Sequence, residues 1–156
     1  MFPHQAKLRR SPVYSHTRSV GEQNATDALR ALMPLAATLG MRAEAFTADQ
    51  VVLALDWSPS LCTSGGALHG GVIMALADSA GGACAMLNLP AEATGTTTIE
   101  SKTNFMGAVR GESVSATSSL LHRGGTTMVV ETTVRDEAGK LIAKVTQTQL
   151  VLRAQT

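Results

Sequence analysis

One acid, Asp78, stands alone in the run Gly70-Gly71-Val72-Ile73-Met74-Ala75-Leu76-Ala77-Asp78-Ser79-Ala80-Gly81-Gly82-Ala83, with no other charged residue within eight positions on either side. At helical spacing its neighbours are Met74, Ala75, Gly81 and Gly82, which leave open space around a carboxylate. An acid on a buried helix is either paired with a base or placed for chemistry. No base lies three or four residues away, so the chemical reading outweighs a structural cap or a stray surface acid. Just upstream, His69-Gly70-Gly71 sits where the helix would begin. The first turn of a helix has unpartnered backbone N–H groups and the positive end of the macrodipole. Glycines there let a ligand oxygen approach the backbone, as an oxyanion site for an ester or thioester carbonyl requires. Taken alone, His-Gly-Gly is a weak signal, because many turns contain it.

Spacing constrains how these groups can cooperate. Gly70 and Asp78 are eight residues apart, about 12 Å along one helix at 1.5 Å per residue. His69 and Asp78 are nine apart, which at about 100° per residue puts them on opposite faces. Neither pair can meet at one carbonyl within one chain. If both serve one site, the acid comes from a second copy, and a two-fold dimer with antiparallel helices creates two such sites. Other constellations are weaker. Ser79 is not in a Gly-x-Ser-x-Gly elbow, and Cys62 with His69 lacks the paired spacing that would complete a metal site. No dinucleotide or Walker glycine pattern occurs. Cys84 reads as core. In His122-Arg123-Gly124-Gly125, a strand end with a tight turn, Arg123 is either an ordinary surface charge or a phosphate contact.

The elements that must carry these residues follow from pattern. A short helix is expected over residues 25–39, where Leu29, Leu32, Met33, Leu35 and Leu39 recur at helical spacing and Pro34 imposes a break. Residues 51–57 read as a strand and 58–68 as a loop. Residues 69–87 are long enough for about five helical turns. Each internal glycine costs about 1 kcal/mol relative to alanine, so this helix needs compensation, and small side chains suggest one clasped closely by a sheet. Twelve threonines between Thr94 and Thr148, interleaved with Val and Ile, mark strand composition. Four strands are expected at about 95–106, 112–122, 126–136 and 140–152, joined as consecutive hairpins through turns at 107–111, 124–125 and 136–139. The class is α+β, an antiparallel sheet around one long central helix.

Composition sets the outer bounds. The chain has 156 residues, one domain's worth, with 44% hydrophobic residues and only 3% aromatic. Charged residues reach 16%, below the roughly 25% usual for soluble domains, which suits a buried subunit interface. A net charge of +1 supplies no basic field for nucleic acid. Asp78 and the glycines make residues 70–89 a poor membrane span. Two isolated cysteines argue for a reducing, cytoplasmic setting. Residues 1–20 carry Lys7, Arg9, Arg10 and Arg18 with no acid and read as a solvated basic tail, a targeting leader being the alternative. The remainder, 21–156, reads as a single domain.

At Leu68-His69-Gly70-Gly71-Val72-Ile73-Met74-Ala75-Leu76-Ala77-Asp78 the chain resembles the hotdog-fold thioesterases of the phenylacetate-pathway, PaaI-type branch, whose motif has the same nine-residue step from His to Asp. The resemblance continues through residues 98–106, Leu121-His122-Arg123-Gly124 and Glu137-Ala138-Gly139-Lys140-Leu141-Ile142-Ala143, and covers roughly 25–152. It implies a hotdog fold, dimers joined sheet edge to sheet edge, and pairing of dimers into a homotetramer. The implied activity is hydrolysis of acyl-CoA thioesters without metal or organic cofactor. Asp78 would act as general base or nucleophile, and the Gly70 N–H would polarise the carbonyl. Thr63 takes the place, fifteen residues before the acid, where relatives commonly carry Asn or Gln. Thr98 matches a hydroxyl that contacts water in some relatives. His69, Gly71, Thr98, Arg123 and Gly124 would lie against the substrate. A hotdog hydratase would carry a histidine about five residues after the acid, yet none appears before His122. The remaining alternative is a non-catalytic acyl-CoA-binding module, which Thr63 keeps open.

Overall fold

The computed structural model describes residues 20–154. The basic tail read over residues 1–20 therefore lies outside the described residues, except that Val20 opens the first helix. Helix α1 (Val20–Leu32) is followed by the short α2 (Pro34–Thr38). The break between them is the one Pro34 imposes. Met33 is extended, as a residue before proline must be, and Pro34 occupies the first turn of α2, where its missing N–H costs nothing. The first helix starts five residues earlier than the apolar spacing indicates.

Six strands follow: β1 (Arg42–Phe46), β2 (Val51–Asp56), β3 (Ala93–Phe105), β4 (Ser113–Arg123), β5 (Thr127–Asp136) and β6 (Leu141–Arg153). Between β2 and β3 lie a 3-10 turn (Pro59–Leu61) and the long helix α3 (Gly70–Met86). All strands form one antiparallel sheet in the order β1-β2-β4-β5-β6-β3. This is the α+β hotdog architecture, a sheet wrapped around one helix. Strand β1 was not evident from its sequence, Arg-Ala-Glu-Ala-Phe, which has no β-branched residue. It forms because β2 offers it a partner and because Arg42 reaches Asp56 across the pair at 2.6 Å.

The order corrects one expectation. The last four strands are not consecutive hairpins, because β3 pairs with β6 and not with β4. Residues 106–112 form a crossover instead of a turn. Met106 and Gly107 both donate to the carbonyl of Ile142, Leu68 donates to that of Val109, and Trp57 to that of Glu112. The segment thus leaves the β6 side of the sheet and delivers β4 to the edge of β2. A glycine-marked connection looks the same in sequence whether it folds back or crosses.

Helix α3 packs against five of the six strands. Ile73, Leu76, Ala77, Ala80, Ala83 and Cys84 face inward and are buried, against Leu53, Leu55, Val114, Ala116, Val130 and Val145 of the sheet. Burying Ile73 and Leu76 contributes roughly 1.5–3 kcal/mol each, enough to offset the helix's internal glycines at about 1 kcal/mol apiece. No helix among the described residues is long and apolar enough to cross a membrane.

Candidate active site

Helix α3 is buried on most of its circumference, and Asp78 lies on the stripe left open, with Gly71 and Met74. The carboxylate is exposed in the single chain. Its partners are neutral: Thr98 Oγ1 donates to Oδ1 at 3.0 Å, and Gln147 Nε2 donates to the same oxygen at 2.6 Å. Oδ2 takes no hydrogen bond and no cation pairs with the acid among the described residues. One oxygen is thus held and the other is open to a reactant.

Two strands converge to build this arrangement. On β3, Thr98 stands directly opposite Gln149 of β6, just before a bulge that shifts the register between Thr98 and Glu100. On β6, Val145, Gln147, Gln149 and Val151 alternate onto the helix-facing side and are all buried. Gln149 Nε2 donates to Thr98 Oγ1 at 2.8 Å, and Thr96 Oγ1 donates to Gln149 Oε1 at 3.0 Å. Gln147 and Gln149 were missed in the sequence. The signal was present: in Val145-Thr146-Gln147-Thr148-Gln149-Leu150-Val151 the period of two places both glutamines on the face of the two valines.

At the other end of α3, His69 is the N-cap, extended in backbone, with Nδ1 accepting from the N–H of Gly71 at 2.8 Å. That N–H is consequently spent on the cap. The N–H of Gly70 has no partner among the described residues. The ring of Phe105 lies over Gly70, where an added Cβ would meet Cζ at 3.1 Å. Thr63 sits in the preceding loop, which closes through Thr63 N–H to Ala67 O at 2.8 Å and is tied to Trp57 Nε1 and Arg110 through the carbonyls of Gly66 and Gly65. The Thr63 hydroxyl makes no hydrogen bond among the described residues. No hydrogen bond links Thr63, His69 or Gly70 with Asp78, so one chain brings Thr98 to the acid and leaves the helix N-terminal group apart.

Arg123 and Gly124 lie in a third place. Arg123 donates from Nε to Asn88 O at 2.9 Å and from Nη2 to Leu89 O at 3.4 Å, which ties the end of β4 to the link after α3, and its Nη1 has no partner among the described residues. Gly124 closes the β4–β5 turn. An added Cβ there would lie 2.7 Å from Thr127 O and 2.9 Å from His122 Nε2, so no side chain fits. Among the described residues no three His, Cys, Asp or Glu side chains gather as a metal site.

Comparison with known proteins adds an independent line. The sequence profile of the Thioesterase superfamily matches residues 65–143, which span the helix cap, α3, Asp78 and Thr98. An esterase-named protein of Saccharolobus solfataricus, SSO2140, is 32% identical over 105 residues, covering 67% of this chain and 73% of its own. The solved structure of a thioesterase family protein from Silicibacter pomeroyi superposes with a TM-score of 0.76 at 28% identity, over 86% of this chain and 100% of that one. The PaaI protein from the phenylacetic acid degradation operon of E. coli shares the fold, with a TM-score of 0.74 over 86% of this chain and 95% of that one, at 17% identity.

Proposed function

This chain belongs to the thioesterase superfamily, and from that membership we propose that it hydrolyses acyl-CoA thioesters to a free carboxylic acid and CoA. The observation that carries the reading is the Asp78 carboxylate, with Oδ1 held by Thr98 and Gln147 and Oδ2 open. As general base, Oδ2 takes a proton from water while the water oxygen attacks the acyl carbon. The tetrahedral oxyanion then collapses, the carbon–sulfur bond breaks, and the proton passes to the departing CoA thiolate. As nucleophile, the same oxygen would bond to the acyl carbon while the carbon–sulfur bond breaks and CoA thiolate leaves, and water would then hydrolyse the resulting anhydride to the free acid and restore the Asp78 carboxylate. A thiolate is a good leaving group, so one carboxylate and one oxyanion donor are sufficient machinery.

The oxyanion donor in this reading is the Gly70 N–H, unpartnered at the positive end of α3. Because Gly70 and Asp78 are about 12 Å apart along one helix, the acid of one copy serves the helix start of another. Strand β3 supports such an assembly. It lies at the edge of the sheet and exposes two large apolar side chains, Ile99 at 57% and Phe105 at 50%, among polar ones, and a second copy would cover them. We assign the chain to homodimers, paired into tetramers, acting in the cytoplasm. Thr63 reaches towards the carbonyl or water through its hydroxyl, and Arg123 offers Nη1 to CoA phosphate.

The test is release of free CoA thiol from a panel of aryl- and alkyl-CoA thioesters, with Asp78→Asn alongside. The substitution is expected to lower kcat by about 10²–10⁴-fold while the assembly keeps its mass. Retention of most turnover would refute the role of Asp78. Tight binding of the thioester without thiol release would favour the binding module instead.

A further inference from the structure

We propose that Gln147 is a positioning residue for Asp78, locked between the carboxylate and a gap left by Gly81, so that Oδ2 is the oxygen presented to the reactant. The inference rests on the reading of Asp78 as the reacting group. Gln147 is fully buried, and its amide nitrogen donates to Asp78 Oδ1 at 2.6 Å and Thr98 Oγ1 at 3.1 Å, with the Asp78 backbone carbonyl a longer contact at 3.5 Å. The Thr98 hydroxyl has one proton and two lone pairs. It gives the proton to Oδ1 and fills the lone pairs from Gln147 and Gln149, so its capacity is complete and every bond has a fixed direction.

The other end of the amide explains why this is not ordinary core packing. Gln147 Oε1 is buried and accepts no hydrogen bond. It occupies the space a side chain would need at position 81, where an added Cβ would lie 2.0 Å from it. Turning the amide over would satisfy nothing, since it would press oxygen against the carboxylate oxygen Oδ1. The carboxylate only accepts, so it dictates that nitrogen faces it and oxygen faces Gly81. The helix-facing side of this strand also carries Val145, Gln149 and Val151, and Gln149 Oε1 does find a donor in Thr96, so an apolar residue at 147 would leave no buried acceptor unpaired. Keeping a half-satisfied buried amide sacrifices stability, and the gain visible in the structure is the fixed orientation of Asp78.

The experiment compares Gln147→Met, which keeps volume and removes the donor, with Thr98→Val, which removes the other donor to Oδ1. Asp78→Asn is measured in parallel. Both donor variants are expected to lose about 10–100-fold in kcat, with KM for the thioester within about twofold and urea unfolding midpoints no lower for Gln147→Met than for wild type. A crystal structure of Gln147→Met is expected to show the Asp78 carboxylate in more than one orientation, a readout independent of turnover. Unchanged kcat in Gln147→Met while Asp78→Asn is inactive overturns the proposal alone, as does an unaltered Asp78 orientation in that crystal structure. Full turnover in Asp78→Asn would instead remove the reading on which the proposal stands.

Discussion

Both donors that reach the Asp78 side chain end on Oδ1, one from the edge strand β3 and one from β6. Neutral donors orient a carboxylate without the charge of a cation, which suits the role proposed for Asp78 of accepting a proton or attacking carbon. Six positions further along the same helix, Cys84 shows the opposite use of a titratable side chain. It is fully buried, and desolvation pushes its thiol above the ordinary 9.0. The folded chain therefore keeps this proton where the unfolded chain loses it. The stability so conferred is complete below pH 9.0 and is lost as pH rises through the folded-state value. Urea unfolding midpoints measured at about pH 7.5 and pH 10 are expected to fall further in wild type than in Cys84→Ala. Equal losses would show that other groups carry the alkaline dependence.

Helix α3 and strand β6 depend on each other through a single missing methyl group. The Cβ that Gly81 lacks would meet Gln147 Oε1 at 2.0 Å and Cδ at 2.9 Å, so a side chain there must displace the buried amide. Gly81→Ala gains about 1 kcal/mol in helix propensity and loses about 1–3 kcal/mol by overpacking. Net destabilisation is expected, with turnover reduced as Gln147 is displaced. Adding Gln147→Ala opens the space again. Thermal unfolding of the two single variants and the double is expected to give a coupling of about 0.5–3 kcal/mol, with stability partly recovered and turnover not. Additive stabilities would mean that the helix and strand are not coupled at this point. Register is a second device at this scale, because Thr98 stands directly opposite Gln149 in the β3–β6 ladder, and the period of two along β6 puts Gln147 on the same face.

For the whole molecule the decisive separation is between Gly70 and Asp78, and it leads to a mixing experiment. Gly70→Pro removes the candidate oxyanion donor with little other change. Proline is favoured at the first helical position, and His69 is already extended, as a residue before proline must be. The Phe105 ring, 3.1 Å from an added Cβ, needs only a small shift. Asp78→Asn and Gly70→Pro are each expected to be inactive. Refolded together in equal amounts, they should recover about a quarter of wild-type turnover, since half of the random dimers are mixed and each mixed dimer has one intact site of two. No recovery would mean that both residues act within one copy.

Much of this architecture is local, and local features are legible in sequence. The period of two in residues 113–123, 127–136 and 141–153, the helical run ended by Met86 and the break at Pro34 depend on neighbours a few residues away, and the expected bounds of the long helix and these strands lie within two residues of the observed ones. Asp78 stood out because a lone charge among small apolar residues is conspicuous without any partner in view. Strand β1 was hidden because its pairing with β2, and not its composition, makes it a strand. The pairing of β3 with β6, which connects residues about fifty positions apart, has no trace in the turn glycines. That pairing sets Thr98 beside Gln149 and brings Gln147 beneath Asp78, so the support of the acid was decided by tertiary structure. The sequence by itself determined which residue carries the charge and which elements can form. Only the folded sheet decided what holds that charge, because hydrogen bonds between distant strands depend on register and crossover, and neither is written in the spacing of any one segment.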